Sequence, residues 1–295
     1  LNNSSAYLLV THGSRDPRPK LAAEYLAKLV SQRLPHISPP PSRPSVQKAQ
    51  VVRSPRADST GRPNQPPAAS DAVNIPTLAE PRAVSVPPPV GTAVLELAPI
   101  PLHQQIQQFA KRALAAGHRH LQILPLFLLP GVHVMEDVPS EVAIAQQALG
   151  QSFTLELRPH LGSHPNLPLL LHATDAIASS DRVANVLMAH GSRRPDSNQF
   201  LEALAAGLGA LPAYWSIAPS LDDQVAELVD QGYQQISILP YFLFAGGITD
   251  AIVENVNALA HRFPKVQFEL AQPIGVTPDL ADLIVDLVHQ THTGC

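Results

Sequence analysis

The chain has 295 residues, 45% of them hydrophobic and 15% charged, with a formal net charge of −4 at pH 7. This balance fits a globular protein of two domains and excludes a generic nucleic-acid binder, which needs clustered Lys and Arg to neutralise phosphates. A single cysteine, Cys295, excludes an intrachain disulfide and any C-x-x-C metal or redox site.

No apolar run reaches transmembrane length, and Leu1–Ser5 lacks the basic start of a signal peptide, so no membrane association and a reducing cytoplasm are expected. In chain order, Ala6–Thr11 reads as a short buried strand. Pro17–Leu34 follows as a helix with Leu21, Tyr25 and Leu29 on one face. From Ser38 to Val90 the composition changes: this stretch holds 13 of the 31 prolines and no Phe, Tyr or Trp. Proline restricts the backbone and removes donors, and without aromatics the stretch cannot bury enough surface to offset chain entropy. Residues 38–90 are therefore expected to be a disordered or extended insertion.

Beyond it come a strand near Thr92–Leu97 and a helix near Leu102–Ala116, with Ile106, Phe109 and Ala113 at helical spacing. "HLQILPLFL" reads as the third strand, Glu136–Leu149 as a helix, "FTLEL" as the fourth strand and Asn166–Ser179 as a last helix. This alternation implies a parallel sheet with helices on both faces.

The second half repeats the plan without the insertion. "ANVLMAHGSRRP" matches "AYLLVTHGSRDP", "ISILPYFLFAGG" matches "LQILPLFLLPGV", and "PIGVTPDL" matches "HLGSHPNL". The expected architecture is α/β: two tandem repeats of a parallel-sheet α/β/α domain, residues 1–178 and 182–295, joined by a polar stretch at Ser179–Asp181, with a cleft between the repeats.

In open parallel sheets, ligands bind beyond the carboxyl ends of the strands. Three polar residues of the first half stand at or just past such ends. His12 follows the first strand, Glu96 closes the second in "VLELAP", and His133 lies after the third in "LLPGVHVMED". Two imidazoles and a carboxylate suit a divalent transition metal or acid–base work near neutral pH. Each alone has a plainer explanation: a hydrogen-bonded turn, a solvated strand end, an exposed loop histidine. The repeat alters that balance. Motif alignment sets His12 against His190, Glu96 against Ser216 and His133 against Ile248. A fold requirement would persist in both copies, whereas here the complete set exists only in the first.

"LLVTHGSRDP", "VLELAP", "LPLFLLPGVHVMEDVP" and "LGSHPNL" together resemble the class II chelatases, in the long, two-repeat form of the sirohydrochlorin chelatases. The resemblance spans both halves and omits only the proline-rich insertion. It implies that His12 and His133 face each other across a cleft between the halves, with Glu96 nearby, serving both as catalytic groups and as metal ligands. It further implies insertion of Co2+ or Fe2+ into sirohydrochlorin, for cobalamin or sirohaem synthesis, with the metal as substrate and no prosthetic group. The partners implied are the tetrapyrrole and a divalent ion. Two fused repeats would supply within one chain the paired surfaces that single-repeat relatives form by dimerising.

The chemistry of the residues accords with this. Metallation strips water from the ion and removes two protons from pyrrole nitrogens. A neutral imidazole, reference pKa about 6.5, can hold the ion or accept a proton, and Glu96 can balance charge or pass the proton on. Nitrogen ligands favour Fe, Co, Ni and Zn over Mg. Activity is expected to fall at acid pH as the histidines protonate; a rate that stays constant well below pH 6 contradicts this. For the macrocycle, Phe127, Leu128 and Leu129 are candidate apolar contacts. Arg15, Arg18, Arg193 and Arg194 are candidate partners for its carboxylates, with surface ion pairing as the alternative. Ser14 and Ser192 read as helix caps. His289, His292 and Cys295 read as a solvated tail rather than a metal-transfer site.

Other signals are missing. No G-x-x-x-x-G-K-[ST] occurs, which argues against an ATP-driven chelatase, and no H-E-x-x-H occurs. The rival readings are a non-catalytic tetrapyrrole or metal carrier using the same cleft, and a lyase or hydrolase using a metal held by the histidines.

Overall fold

The computed structural model describes residues 5–35, 87–172, 183–192 and 195–290, with backbone alone for 195–197. The insertion from 38 to 86, the last helix of the first half beyond 172, the joining stretch at 179–181, Arg193, Arg194, His292 and Cys295 lie outside the described residues.

Strands β1 (Ser5–Thr11), β2 (Val90–Val94), β3 (His120–Pro125) and β4 (Thr154–Leu157) form a parallel sheet in the order β2-β1-β3-β4. Strands β5 (Val183–Ala189), β6 (Ala210–Tyr214), β7 (Gln235–Pro240) and β8 (Gln267–Leu270) form another in the order β6-β5-β7-β8. The helices are α1 (Pro17–Arg33), α2 (Leu102–Ala115), α3 (Val138–Leu149), α4 (Leu169–His172), α5 (Pro195–Gly207), α6 (Leu221–Asp230), α7 (Gly247–Arg262) and α8 (Pro278–His289). The expected α/β plan and its repetition are both present.

Period-2 alternation sorts the strand side chains into layers. In β1, Tyr7 and Leu9 join a core with Leu26 and Val30 of α1, while Ala6, Leu8 and Val10 join another with Ile106 of α2 and Val142 of α3. In β5, Leu187 and Ala189 point to the first of these cores, and Val186 and Met188 to a third beneath α6 and α7. The inner core thus runs through both halves and includes Leu280, Ile284 and Leu287 of α8. Each sheet has its own outer helices, and the two share an inner helical layer.

Several boundaries and one buried face differ from the sequence reading. Strand β2 runs Val90–Val94, not Thr92–Leu97, because its pairing partner Tyr7–Thr11 meets it in that register. The proline-rich stretch therefore gives way to β2 at Val90 itself. Strand β3 stops at Pro125, where β1 ends as a neighbour, so Phe127 and Leu128 belong to the following loop. The third helix is entered through a π-helical turn, His133–Asp137. On α1 the buried face is Ala23, Leu26, Ala27 and Val30, while Leu21 and Tyr25 are 61% and 56% exposed. Both stripes have helical spacing; the shared inner layer selects the one whose alanines permit close approach.

Ion pairs tie the halves together. The Arg18 guanidinium holds Asp16, which also caps α1, and reaches Asp250 on α7 at 2.5 Å. Arg33 pairs with Asp282 on α8 at 2.5 Å. Buried Arg158 donates to the Leu287 carbonyl at 2.6 Å, to the Gln290 carbonyl, and to Glu156 at 2.7 Å. It thereby satisfies carbonyls that the end of α8 leaves without helical partners. Among the described residues, no helix is long and apolar enough to cross a membrane.

Candidate active site

The strand order places a topological switch between β1 and β3, since the chain leaves β1 for one edge and returns on its other side. Crevices at the carboxyl ends of such strands are where open α/β sheets bind ligands. His12 immediately follows β1, Glu96 lies two residues past β2, and His133 follows the loop after β3.

Backbone contacts hold these ends in register. The Glu96 N–H donates to the His12 carbonyl at 2.8 Å, and the Leu95 N–H to the Thr11 carbonyl at 2.9 Å. Gly13, with φ +106°, makes this approach possible: a Cβ there would lie 2.1 Å from the Glu96 carbonyl oxygen. No L side chain fits between them.

Donor atoms of His12, Glu96 and His133 all lie within 4.8 Å of one another. The two imidazoles meet edge to face, with centroids 4.6 Å apart and planes at 86°; both come from neighbouring strand ends of the first sheet, so they do not face each other across a cleft between the halves as expected. His12 Nδ1 is 3.9 Å from Glu96 Oε2, too far for a hydrogen bond. It is close to the span that two metal–ligand bonds of about 2.1 Å each can bridge. The His12 and Glu96 side chains are 50% and 47% exposed, so small rotations can close the set around an ion. As a group, they can hold a transition metal or accept protons from a molecule laid over them.

The π turn supplies a residue the sequence reading missed. His133 Nδ1 is 2.7 Å from Asp137 Oδ2, four residues on. A carboxylate on one ring nitrogen fixes the tautomer, so Nδ1–H donates to Asp137 and Nε2 is left with its lone pair for a ligand. The sequence does carry the signal, as the His-x-x-x-Asp spacing in "HVMED", but it becomes legible only once a helical turn is known to start at His133. Asp137→Asn is expected to weaken Co2+ binding about 10- to 100-fold, the usual consequence of losing such a partner. Titration followed by the visible cobalt spectrum measures it, and an unchanged affinity contradicts the orienting role.

The second half retains the frame and the first histidine, as His190, but has no counterpart of Glu96 or His133. The Ser216 N–H donates to the His190 carbonyl at 2.9 Å, so Ser216 occupies the place of Glu96. Its hydroxyl turns back to the same carbonyl at 2.8 Å. Ile248 stands in α7 where His133 would be, and the counterpart of Asp137 is buried Ile252. Burial, and then the nearby His12, holds the His190 imidazole below its ordinary pKa.

Other candidates fall in different places. The Phe127 ring lies 6.3 Å from His12 and 6.2 Å from His133, centroid to centroid. Leu128 packs against the inner core, and its carbonyl meets Gly162, where a Cβ would be 2.0 Å away. Arg15 is exposed, and Arg18 already holds two carboxylates of the chain itself. Ser14 does not cap α1 directly; it accepts from the N–H of Asp16, the capping residue, at 3.0 Å. The Ser192 backbone exchanges hydrogen bonds with the Asn198 side chain. His289 lies in the last turn of α8.

Beside His12 and Glu96 opens a cavity of about 510 Å³, whose walls include Lys20, Leu97, Leu243 and Phe244. None of these four was a site candidate from the sequence. A smaller cavity of about 290 Å³ is bounded by Glu96, Asp137, Ser140 and Glu141.

The model of the CbiX family matches the chain twice, over residues 67–174 and 184–291. The first match begins inside the insertion and so leaves out β1 and His12. Sirohydrochlorin cobaltochelatase of Priestia megaterium is 23% identical over 203 residues, covering 64% of this chain and 66% of that protein, just under two thirds of its length. Sirohydrochlorin ferrochelatase of the same organism is 25% identical over 199 residues, covering 64% of this chain and 73% of that protein. Among solved structures, SirB from Bacillus subtilis with Fe3+ superposes with a TM-score of 0.66 at 19% identity, covering 98% of this chain and 96% of that one. The Bacillus subtilis sirohydrochlorin chelatase SirB in complex with cobalt gives 0.63 at 17% identity, covering 97% and 94%. These likenesses establish a common fold.

Proposed function

The chain belongs to the CbiX family, and from that premise we propose that it is a sirohydrochlorin chelatase, inserting Co2+ or Fe2+ into the macrocycle without ATP. The observation that carries this reading is the convergence of His12, Glu96 and His133 at three adjacent strand ends, with donor atoms within 4.8 Å. In this reading residues 1–178 form the catalytic repeat and residues 182–295 a supporting one.

The reaction exchanges one divalent ion for two pyrrole protons. His133, its Nδ1 engaged by Asp137, offers Nε2 to the ion. His12 and Glu96 complete a mixed nitrogen and oxygen set suited to cobalt and iron, which share ligand preferences closely enough that supply can decide between them. As the ion passes to the macrocycle, the vacated imidazole of His12 and the Glu96 carboxylate can take up the displaced protons. Both are half exposed and can release them to water.

The test mixes the protein with sirohydrochlorin and Co2+ or Fe2+ without oxygen and follows the absorbance. Product beyond one equivalent per chain is expected. Formation that stops at one equivalent supports a carrier instead, and no product at all overturns the reading.

A further inference from the structure

The two cavities that meet at Glu96 differ in chemistry. The smaller one adds Asp137 and Glu141 to Glu96, and three carboxylates repel a substrate that is itself rich in carboxylates. The larger one also carries the Glu24 and Glu96 carboxylates, but it adds the cation of Lys20 and apolar walls in Leu97, Leu126, Leu243 and Phe244. Lys20 is exposed on the first turn of α1 and enters no ion pair among the described residues.

Leu97 has a feature that packing does not explain. Its φ is +59°, a left-handed conformation that an L residue adopts only with strain. Glycine would adopt it without cost. The side chain is 61% exposed, so the strain is not offset by burial in the core. What the conformation does is hold a leucine at the cavity wall directly beside Glu96. Leu243 and Phe244, the counterparts of Leu128 and Leu129 in the repeat alignment, come from the second half.

Building on the chelatase reading, we propose that this cavity seats the macrocycle: Lys20 binds one of its carboxylates, and Leu97, Leu243 and Phe244 contact its flat face. The half that lacks counterparts of Glu96 and His133 then has a direct task, as one wall of the substrate seat. This places the apolar contacts on the second copy of the motif rather than on Phe127 and Leu128. It also gives Lys20 the anchoring part that Arg18, held by Asp16 and Asp250, does not have free.

Three measurements test it on the full chain: sirohydrochlorin binding by fluorescence quenching without metal, Co2+ titration without tetrapyrrole, and steady-state turnover. Lys20→Gln is expected to weaken sirohydrochlorin binding about tenfold and Lys20→Glu more, the scale of one charge-assisted hydrogen bond. Lys111→Glu, an equal charge reversal on the exposed face of α2, is expected to bind as the wild type does. Leu97→Gly is expected to raise KM several-fold while leaving the melting temperature unchanged or higher, and Phe244→Ala to raise KM likewise. Cobalt affinity stays constant throughout. Wild-type affinity in both Lys20 variants, or an unaltered KM in Leu97→Gly, overturns the seat while leaving the chelatase reading intact. A wild-type protein that binds no sirohydrochlorin overturns both.

Discussion

His12→Ala and His133→Ala are each expected to lower the rate of metal insertion by about 10²- to 10⁴-fold, the range for losing a positioned acid–base group, whereas His190→Ala costs far less. The difference does not lie in local backbone, since the turn after β5 repeats the turn after β1 down to the N–H that each histidine's carbonyl accepts, from Glu96 or from Ser216. It lies in what surrounds each ring. His12 has an imidazole at 4.6 Å and a carboxylate at 3.9 Å, while the positions matching these in the second half are Ile248 and Ser216. Because His12 is half exposed, its truncation removes little packing, so the melting temperature is expected to change little. Equal losses at His12 and His190 contradict the assignment of catalysis to the first repeat.

Gly13→Ala is expected to be among the most damaging single-methyl additions available to the protein. Two penalties coincide there. A φ of +106° is a conformation that alanine adopts only with strain, and the new Cβ would lie 2.1 Å from the Glu96 carbonyl oxygen, a backbone atom that cannot rotate aside. Relief requires separating the ends of β1 and β2, which carry His12 and Glu96. A loss of more than about 3 kcal/mol is expected, and with it a fall in melting temperature of roughly 6–12 °C. Gly117→Ala provides the comparison: its φ is +92°, but no atom lies within 4 Å of the added carbon, so only the strain remains. Thermal melts of the two variants separate the terms. Equal destabilisation means that the close approach at Gly13 contributes nothing.

Much of this was readable without coordinates, for identifiable reasons. The repeated His-Gly-Ser-Arg turn, the alternation of apolar runs with helical spacing, and the loss of Glu96 and His133 from the second copy are all patterns along the chain. The motif alignment that set Glu96 against Ser216 is the alignment drawn by the backbone hydrogen bonds to His12 and His190. Strand limits were less legible, because a strand ends where its neighbour does: β2 follows Tyr7–Thr11, and β3 stops beside the end of β1. The buried face of α1 was misread for a related reason. Leu21 and Tyr25 have the larger side chains, but the neighbours on two sheets accept Ala23, Leu26, Ala27 and Val30 instead.

The sequence by itself determined the α/β repeat, the lone complete set of His12, Glu96 and His133, and the kind of chemistry such a set can perform, since residue type and short-range spacing are properties of the chain alone. Only the tertiary structure decided that Arg18 reaches Asp250 in the other half, and that Lys20 and Phe244 border one cavity. Those relations depend on which strand ends and helix faces meet after segments as far apart as α1 and the loop after β7 have packed around a common core. No local pattern encodes a distance between residues more than 200 positions apart.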